Sequence, residues 1–275
     1  MSSNGNNKGN SSESILIELM TDNGVLRLTL NDSKRRNALS EEMMTSIATA
    51  LSKAEKNTDV KVIIISANGP AFCSGHDLKQ MSAGRKNDDG GLAYFTQVFS
   101  SCSALMQQIV NHPKPVIAEV SGVAAAAGCQ LVACCDLAIA SESARFVTPG
   151  VNIGLFCSTP MVALSRNVSN KAAMEMLLTG EMIDAQKAER IGLINRVEEH
   201  QALTQKTLEM ATLIASKSSM VLETGKKAFY GQKDMPLSEA YEYTSQVMVD
   251  NMLKQDAKEG IDAFIEKRQP KWQDK

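Results

Sequence analysis

The sequence predicts an α/β protein in which a parallel sheet is laid down first and helices dominate later. Three observations carry that prediction. Short apolar runs alternate with helical patterns through the first half, as crossovers between parallel strands require. Two runs, "VKVIIIS" and the core of "HPKPVIAEV", are continuously apolar and rich in β-branched residues, which marks strands covered on both faces. From Ser158 onward helical periodicity takes over.

Taken in order, residues 1–14, "MSSNGNNKGNSSES", are polar and are expected to be disordered. They lack the apolar centre of a signal peptide and the arginines of a transit peptide. Residues 15–19 and 25–30 are predicted strands around the turn "TDNG". Ser40 is a good N-cap, and Glu41 and Glu42 suit the first turn of a helix running to about Lys56. Residues 60–66 form a buried strand, and "ANGPAFCSGHD" after it is read as a turn. A helix over 92–110 leads to the strand in "HPKPVIAEV". The small-residue loop Gly122 to Gly128 follows, then strand-like "DLAIAS" and "ARFVTP". Helices are predicted over 158–167, 171–178, 185–191, 201–216, 221–230, 237–253 and 257–267. The implied organisation is a tail (1–14), a mixed core (15–205) and a helical region (206–275) that packs on the core or on another subunit.

The 275 residues include 43% hydrophobic and 22% charged residues, ordinary for a globular chain with a sizeable core. A net charge of −2 without a basic block argues against a nucleic-acid partner. No apolar run approaches the roughly 18 residues of a membrane span. The six cysteines form no CxxC pair and the three histidines have no ligand spacing, so no metal is expected and the thiols read as reduced and buried. A cytoplasmic address is the default, with the mitochondrial matrix as the alternative for a eukaryotic source.

Two loops carry chemistry. Ser74-Gly75-His76-Asp77 and Gly122 to Gly128 each follow a predicted buried strand, where open α/β folds place ligands. Small residues let a ligand approach the backbone and expose N–H groups. Two N–H groups aimed at one point bind an oxyanion, and a helix dipole behind the second adds to the effect. Taken alone, Ala124 to Ala127 suit tightly packed core alanines equally well.

Together the motifs resemble those of the crotonase family, the enoyl-CoA hydratase/isomerase superfamily, over nearly all the chain after the tail. The matching pieces are "LNDSKRRNALS", "GPAFCSGHDLKQM", "PKPVIAEVSGVAAAAGCQLVACCDLAIAS", "ARFVTPGVNIGL", "AMEMLLTGEMIDAQKAERIGLINRV" and "AFIEKRQPKW". Within the family, "TPGVN" and "LFCSTP" are similar to those of one branch. The resemblance implies a spiral of ββα repeats with C-terminal helices that assemble trimers or hexamers. It implies an acyl-CoA thioester as substrate, with coenzyme A part of that substrate and no separate cofactor. The thioester carbonyl would accept from the backbone N–H groups of His76 and Ala127. Arg35, Arg36 and Ala38 would lie along the CoA, with Ser74, Gly75, Asp77, Leu78 and Lys79 beside them. Gly128, Gly150 and Cys157 would border the acyl group, while Phe264 and Lys267 would reach a neighbouring subunit's CoA phosphates. A solvated surface lysine explains Lys267 equally well.

The pattern breaks at its acids. Family hydratases use two glutamates, and the matching positions hold Gln130 and Gly150. Neither moves a proton, and each general acid or base contributes about 10²- to 10⁴-fold. The expectation is an oxyanion hole without its usual proton handlers. His76 is the titratable candidate to substitute, and "SGHD" resembles decarboxylating members of the family acting on malonyl-type thioesters. Cys157 reads better as a packed thiol, Glu119 as an ion-pair partner or a strand-end residue open to solvent, and Asp136 as structural, while Gln130 can still orient a water or a polar substrate group. The expected activities are a weak or altered hydratase or isomerase, a CoA-thioester decarboxylase or hydrolase, or acyl-CoA binding without catalysis. A serine protease on a related spiral fold is disfavoured, because no convincing Ser/His/Asp set is present.

Overall fold

The described residues, 14–275 of this computed structural model, open with a hairpin in which β1 (Leu16–Met20) pairs antiparallel with β2 (Val25–Leu30). The expected tail up to residue 13 lies outside the described residues. Ser40 caps α1 (Glu41–Lys56) by accepting from the Met43 N–H, so the N-cap reading holds at the atomic level. Then come β3 (Val62–Ala67), β4 (Ala71–Cys73), α2 (Leu78–Gly84), α3 (Leu92–Val110), β5 (Val116–Val120), β6 (Val123–Ala125) and α4 (Ala127–Cys134). β7 (Leu137–Ser141) and β8 (Arg145–Val147) precede α5 (Ser158–Leu164), α6 (Asn170–Thr179), β9 (Ile183–Asp184), α7 (Ala185–Arg190) and β10 (Arg196–Glu198). The chain ends with α8 (Leu203–Ala215), α9 (Ser219–Gln232), α10 (Leu237–Met252) and α11 (Gln255–Ile265).

The strands form two sheets. The larger has the order β1-β2-β3-β5-β7-β10 and is parallel after the first pair; the smaller has the order β4-β6-β8-β9. Three successive units, β3-β4, β5-β6 and β7-β8, place the first strand in the large sheet and the second in the small one before a helix follows. This is the predicted ββα spiral. β3 and β5 are buried throughout apart from Ala67, as their unbroken apolar runs require.

Two readings need correction. The segment "ANGPAFCSGHD" is not only a turn, because Ala71–Cys73 forms β4; likewise Val123–Ala125 inside the glycine–alanine loop forms β6. Strands this short have no readable periodicity and exist because they pair with each other. Elsewhere the ends shift: the strand expected over 60–66 spans 62–67, and the helix expected over 158–167 stops at Leu164.

α8 covers the large sheet on the face away from the main core, packing Ala211 and Ala215 with Val25, Val62, Ile64 and Ile117. The division expected at residue 206 therefore falls inside a helix that packs on the sheet. Glu119 of β5 accepts both ends of the Arg27 guanidinium from β2, at 2.8 and 2.6 Å, and Thr204 of α8 at 3.0 Å. This is the ion pair expected for that buried carboxylate. Asp136 is structural as well: it accepts from Val116 N–H, Tyr230 Oη and Lys226 Nζ, joining β5 to α9. α10 has no buried residue and leaves Leu237, Tyr241, Met248 and Met252 exposed. Among the described residues no helix is long and apolar enough to cross a membrane.

Candidate active site

β4 and β6 run parallel, and their C-terminal ends deliver the two predicted loops to one place. Contact between the loops is close. A β-carbon on Gly75 would stand 3.0 Å from Ala126 Cβ, 3.1 Å from the Ala125 carbonyl oxygen and 3.4 Å from Ala127 N. One on Gly128 would stand 2.2 Å from the Cys73 carbonyl oxygen. With φ of +90° at Gly75, the first position also demands glycine conformationally. The bare backbone therefore lets the start of α4 rest directly on the end of β4.

Peptide planarity then fixes two donors. The Gly75 carbonyl accepts from Leu39 N–H at 2.8 Å, so the His76 N–H on the same trans peptide points the opposite way. The Ala126 carbonyl accepts from Gln130 N–H at 3.0 Å, which turns the Ala127 N–H out of the helix start. Neither N–H donates to any group among the described residues. Ala126 sits at φ 50°, ψ −116°, a strained conformation for alanine that sets this peptide's direction. The α4 dipole reinforces the second donor.

The segment 33–39 closes one side of the site. Ser74 N–H donates to the Arg36 carbonyl at 3.1 Å, and Ser74 Oγ to the Arg35 carbonyl at 3.4 Å. Asn37, which sequence reasoning missed, anchors this segment: it is fully buried at φ 52° and its Nδ2 donates to the carbonyls of Asn68 and Ala71. Asparagine tolerates that left-handed conformation, which is the signal that could have found it. Ala38 is buried, while Lys34, Arg36, Leu78 and Lys79 are exposed. Asp77 is committed elsewhere. It caps α2 by accepting from Lys79 and Gln80 N–H and pairs with Arg35 at 3.5 Å.

The His76 ring lies edge-on to Phe99 of α3, with centroids 5.5 Å apart, and both ring nitrogens are enclosed without a hydrogen-bond partner. Burial holds its pKa below the usual histidine value, offset in part by the Leu39 carbonyl, which stays outside hydrogen-bond geometry. The imidazole is thus neutral at neutral pH. Phe99 was missed because nothing in a helical pattern marks which face meets a loop.

Gln130 is 4% exposed and follows Ala127 by one turn of α4. It lines a cleft of about 430 Å³ between α3, α4, α5 and α9, walled by Met106, Val110, Ala133, Val162 and Ala163. Gly150 lies in a 3₁₀ turn (Pro149–Ile153), where a β-carbon would stand 2.8 Å from the Leu155 carbonyl oxygen and 2.9 Å from Cys157 Sγ. Cys157 is a packed thiol whose pKa burial raises. Phe264 and Lys267 are exposed on and just after α11, which packs against α10. Among the described residues no cluster of His, Cys, Asp or Glu could hold a metal ion.

A family model described as enoyl-CoA hydratase/isomerase matches residues 20–275. The chain is 49% identical over 264 residues to "Enoyl-CoA hydratase domain-containing protein 3, mitochondrial" of Rattus norvegicus, covering 96% of this chain and 86% of that one. The crystal structure of human enoyl Coenzyme A hydratase domain-containing protein 3 superimposes with a TM-score of 0.89 at 48% identity, covering 94% of this chain and 100% of that one. An enoyl-CoA hydratase structure from Mycobacterium smegmatis gives 0.90 at 44% identity, covering 94% and 99%.

Proposed function

The chain belongs to the enoyl-CoA hydratase/isomerase family, and from that premise we propose that it binds an acyl-CoA thioester with the carbonyl oxygen between the N–H groups of His76 and Ala127. The observation that carries this reading is the pair of unclaimed donors held together by the Gly75–Ala126 contact. Such a pair stabilises the enolate oxygen of a thioester, and one such donor contributes about 3 kcal/mol to a transition state. The exposed Lys34, Arg36 and Lys79 supply positive charge along one side for CoA phosphates.

The hydration step is the weak link. It requires an acid and a base, and neither Gln130 nor Gly150 supplies one. Decarboxylation of a malonyl-type thioester needs no base to remove a C–H proton: loss of CO₂ leaves the electron pair as an enolate in the hole, and solvent returns a proton to carbon. Thioester hydrolysis and binding without turnover are the remaining outcomes. The exposed apolar side chains of α10 and α11 support assembly into a trimer or a pair of trimers, in which Phe264 and Lys267 would meet a neighbour's CoA. The mitochondrial label of the rat relative moves the proposed location from the cytoplasm toward the matrix.

The test is direct. Purified protein is incubated with crotonyl-CoA while the enoyl absorbance is followed, and the experiment is repeated with malonyl-type thioesters. Slow or absent hydration is expected; hydration at roughly 10 s⁻¹ or faster would overturn the assignment of the two substitutions as disabling.

A further inference from the structure

The segment 271–274 doubles back along α11 and ties it to the body of the chain. Lys271 N–H donates to Glu259 at 2.7 Å, and the Gln273 and Asp274 N–H groups donate to the two oxygens of Asp256 at 2.8 and 2.9 Å. Between them the Trp272 ring lies on Gly260, where a β-carbon would stand 3.2 Å from it. Asp256, 1% exposed in the first turn of α11, is thus spent on holding this strap. The same strap reaches the corner between α8 and α9. Trp272 Nε1 donates to the Ser216 carbonyl at 2.9 Å. Asp274 Oδ1 accepts from Ser219 N–H at 2.6 Å and Met220 N–H at 3.4 Å, beside the Ser218 cap of α9.

What the strap steadies is the end of α11. Lys267 N–H donates to the Phe264 carbonyl at 3.3 Å and Arg268 N–H to the Ala263 carbonyl at 3.0 Å, the double closure of a left-handed helix end. Lys267 takes the left-handed position at φ 54°, where glycine is the ordinary choice and a lysine carries strain. The two neighbouring cations then differ. Arg268 is consumed by Glu259, at 2.6 and 2.9 Å, and by Glu266 at 2.6 Å. Lys267 enters no ion pair among the described residues, and Phe264 beside it is 85% exposed. One free cation and one bare ring thus stand on a helix whose neighbour α10 has no buried residue to steady it.

We propose that Trp272 and Asp274 are positioning residues, which pin α11 to the α8–α9 corner and so hold Lys267 and Phe264 ready for the phosphate end of a neighbour's CoA thioester. The proposal rests on the acyl-CoA reading above and gives neither residue a contact with the ligand. A lysine on a pinned helix is already ordered when the phosphates arrive. On a loose helix the same contact costs the entropy of fixing the helix first, and affinity falls.

The experiment is calorimetric titration of the full chain with butyryl-CoA and with butyryl-pantetheine, which keeps the thioester and lacks the phosphates. It is repeated for Trp272→Phe, Asp274→Ala, Asp274→Asn and Lys267→Ala. Trp272→Phe and Asp274→Ala should bind butyryl-CoA about five- to tenfold more weakly, as Lys267→Ala does, with butyryl-pantetheine unchanged. Asp274→Asn, whose side-chain oxygen still accepts, should recover most of the loss. Equal losses for both ligands, or no loss in a folded strap variant, overturn the proposal and leave the acyl-CoA reading standing. So does a loss that appears only when the assembly, weighed in parallel, falls apart. Failure of the wild type to bind butyryl-CoA overturns both. If Asp274→Ala does not fold, the milder Trp272→Phe decides. If butyryl-pantetheine binds too weakly to titrate, the salt dependence of butyryl-CoA binding decides: it should flatten in the strap variants, and an unchanged slope overturns the proposal.

Discussion

Gly150 and Cys157 compete for one volume: a β-carbon on the glycine would meet the cysteine sulfur at 2.9 Å and the Leu155 carbonyl oxygen at 2.8 Å. Restoring the two acids with Gln130→Glu and Gly150→Glu would raise hydration only if the pocket had room for both side chains. At Gly150 it has none. The double variant should lose about 1–3 kcal/mol of stability by overpacking and gain no crotonyl-CoA hydration. Thermal melting and the absorbance assay check both parts, and a clear rise in hydration would contradict the geometry.

Gly128→Ala should cost more than an exposed helical substitution, because its methyl would press on the Cys73 carbonyl oxygen. The opposite sign is expected at Ala126→Gly. Glycine accepts φ 50°, ψ −116° without the strain alanine carries, so the variant should be more stable by about 1 kcal/mol. Denaturant unfolding of the two variants side by side measures the difference.

The Arg27–Glu119 pair is buried, with side-chain exposures of 17% and 6%. Glu119→Ala should cost about 3–5 kcal/mol because it leaves the guanidinium unpaired, and a double change to apolar residues of similar size should cost less. Urea midpoints for single and double variants decide; equal losses would mean that the charge left behind is not the cause.

Burial raises the pKa of all six cysteines, with Cys73, Cys129 and Cys134 pushed up to about 12. Native protein should therefore react slowly with a thiol reagent at pH 8, and unfolded protein should release six equivalents. Fast reaction of more than one thiol in the native state would count against the packed arrangement.

His76 and His112 both have pKa values lowered by burial. The folded state then binds fewer protons than the unfolded one, so stability is complete above the ordinary histidine pKa of about 6.5 and falls as pH drops below it. Unfolding midpoints at pH 7.5 and pH 5.5 should show that loss, and replacing both histidines by asparagine should reduce it.

Long elements and their caps were legible because local chemistry fixes them. Ser40, Glu41 and Glu42 announce α1, and the run 62–66 announces a covered strand. β4 and β6 were not, since three residues between glycines acquire strand geometry only from each other. At the site, both absent acids could be read directly from Gln130 and Gly150. What the sequence could not show was distance: the Phe99 ring on His76, the thiol against Gly150, and the enclosed oxygen of Gln130 each join residues remote along the chain. Asp77 is the reverse case, a residue matched to a binding motif whose carboxylate the fold uses for capping and ion pairing.

The order of the large sheet climbs steadily with the chain, from β1 at one edge through β2, β3, β5 and β7 to β10 at the other. Each strand is laid beside one that was made before it, and none has to be threaded between two already paired. Assembly can therefore follow synthesis, with the nascent N-terminal hairpin as the template on which later strands dock one after another.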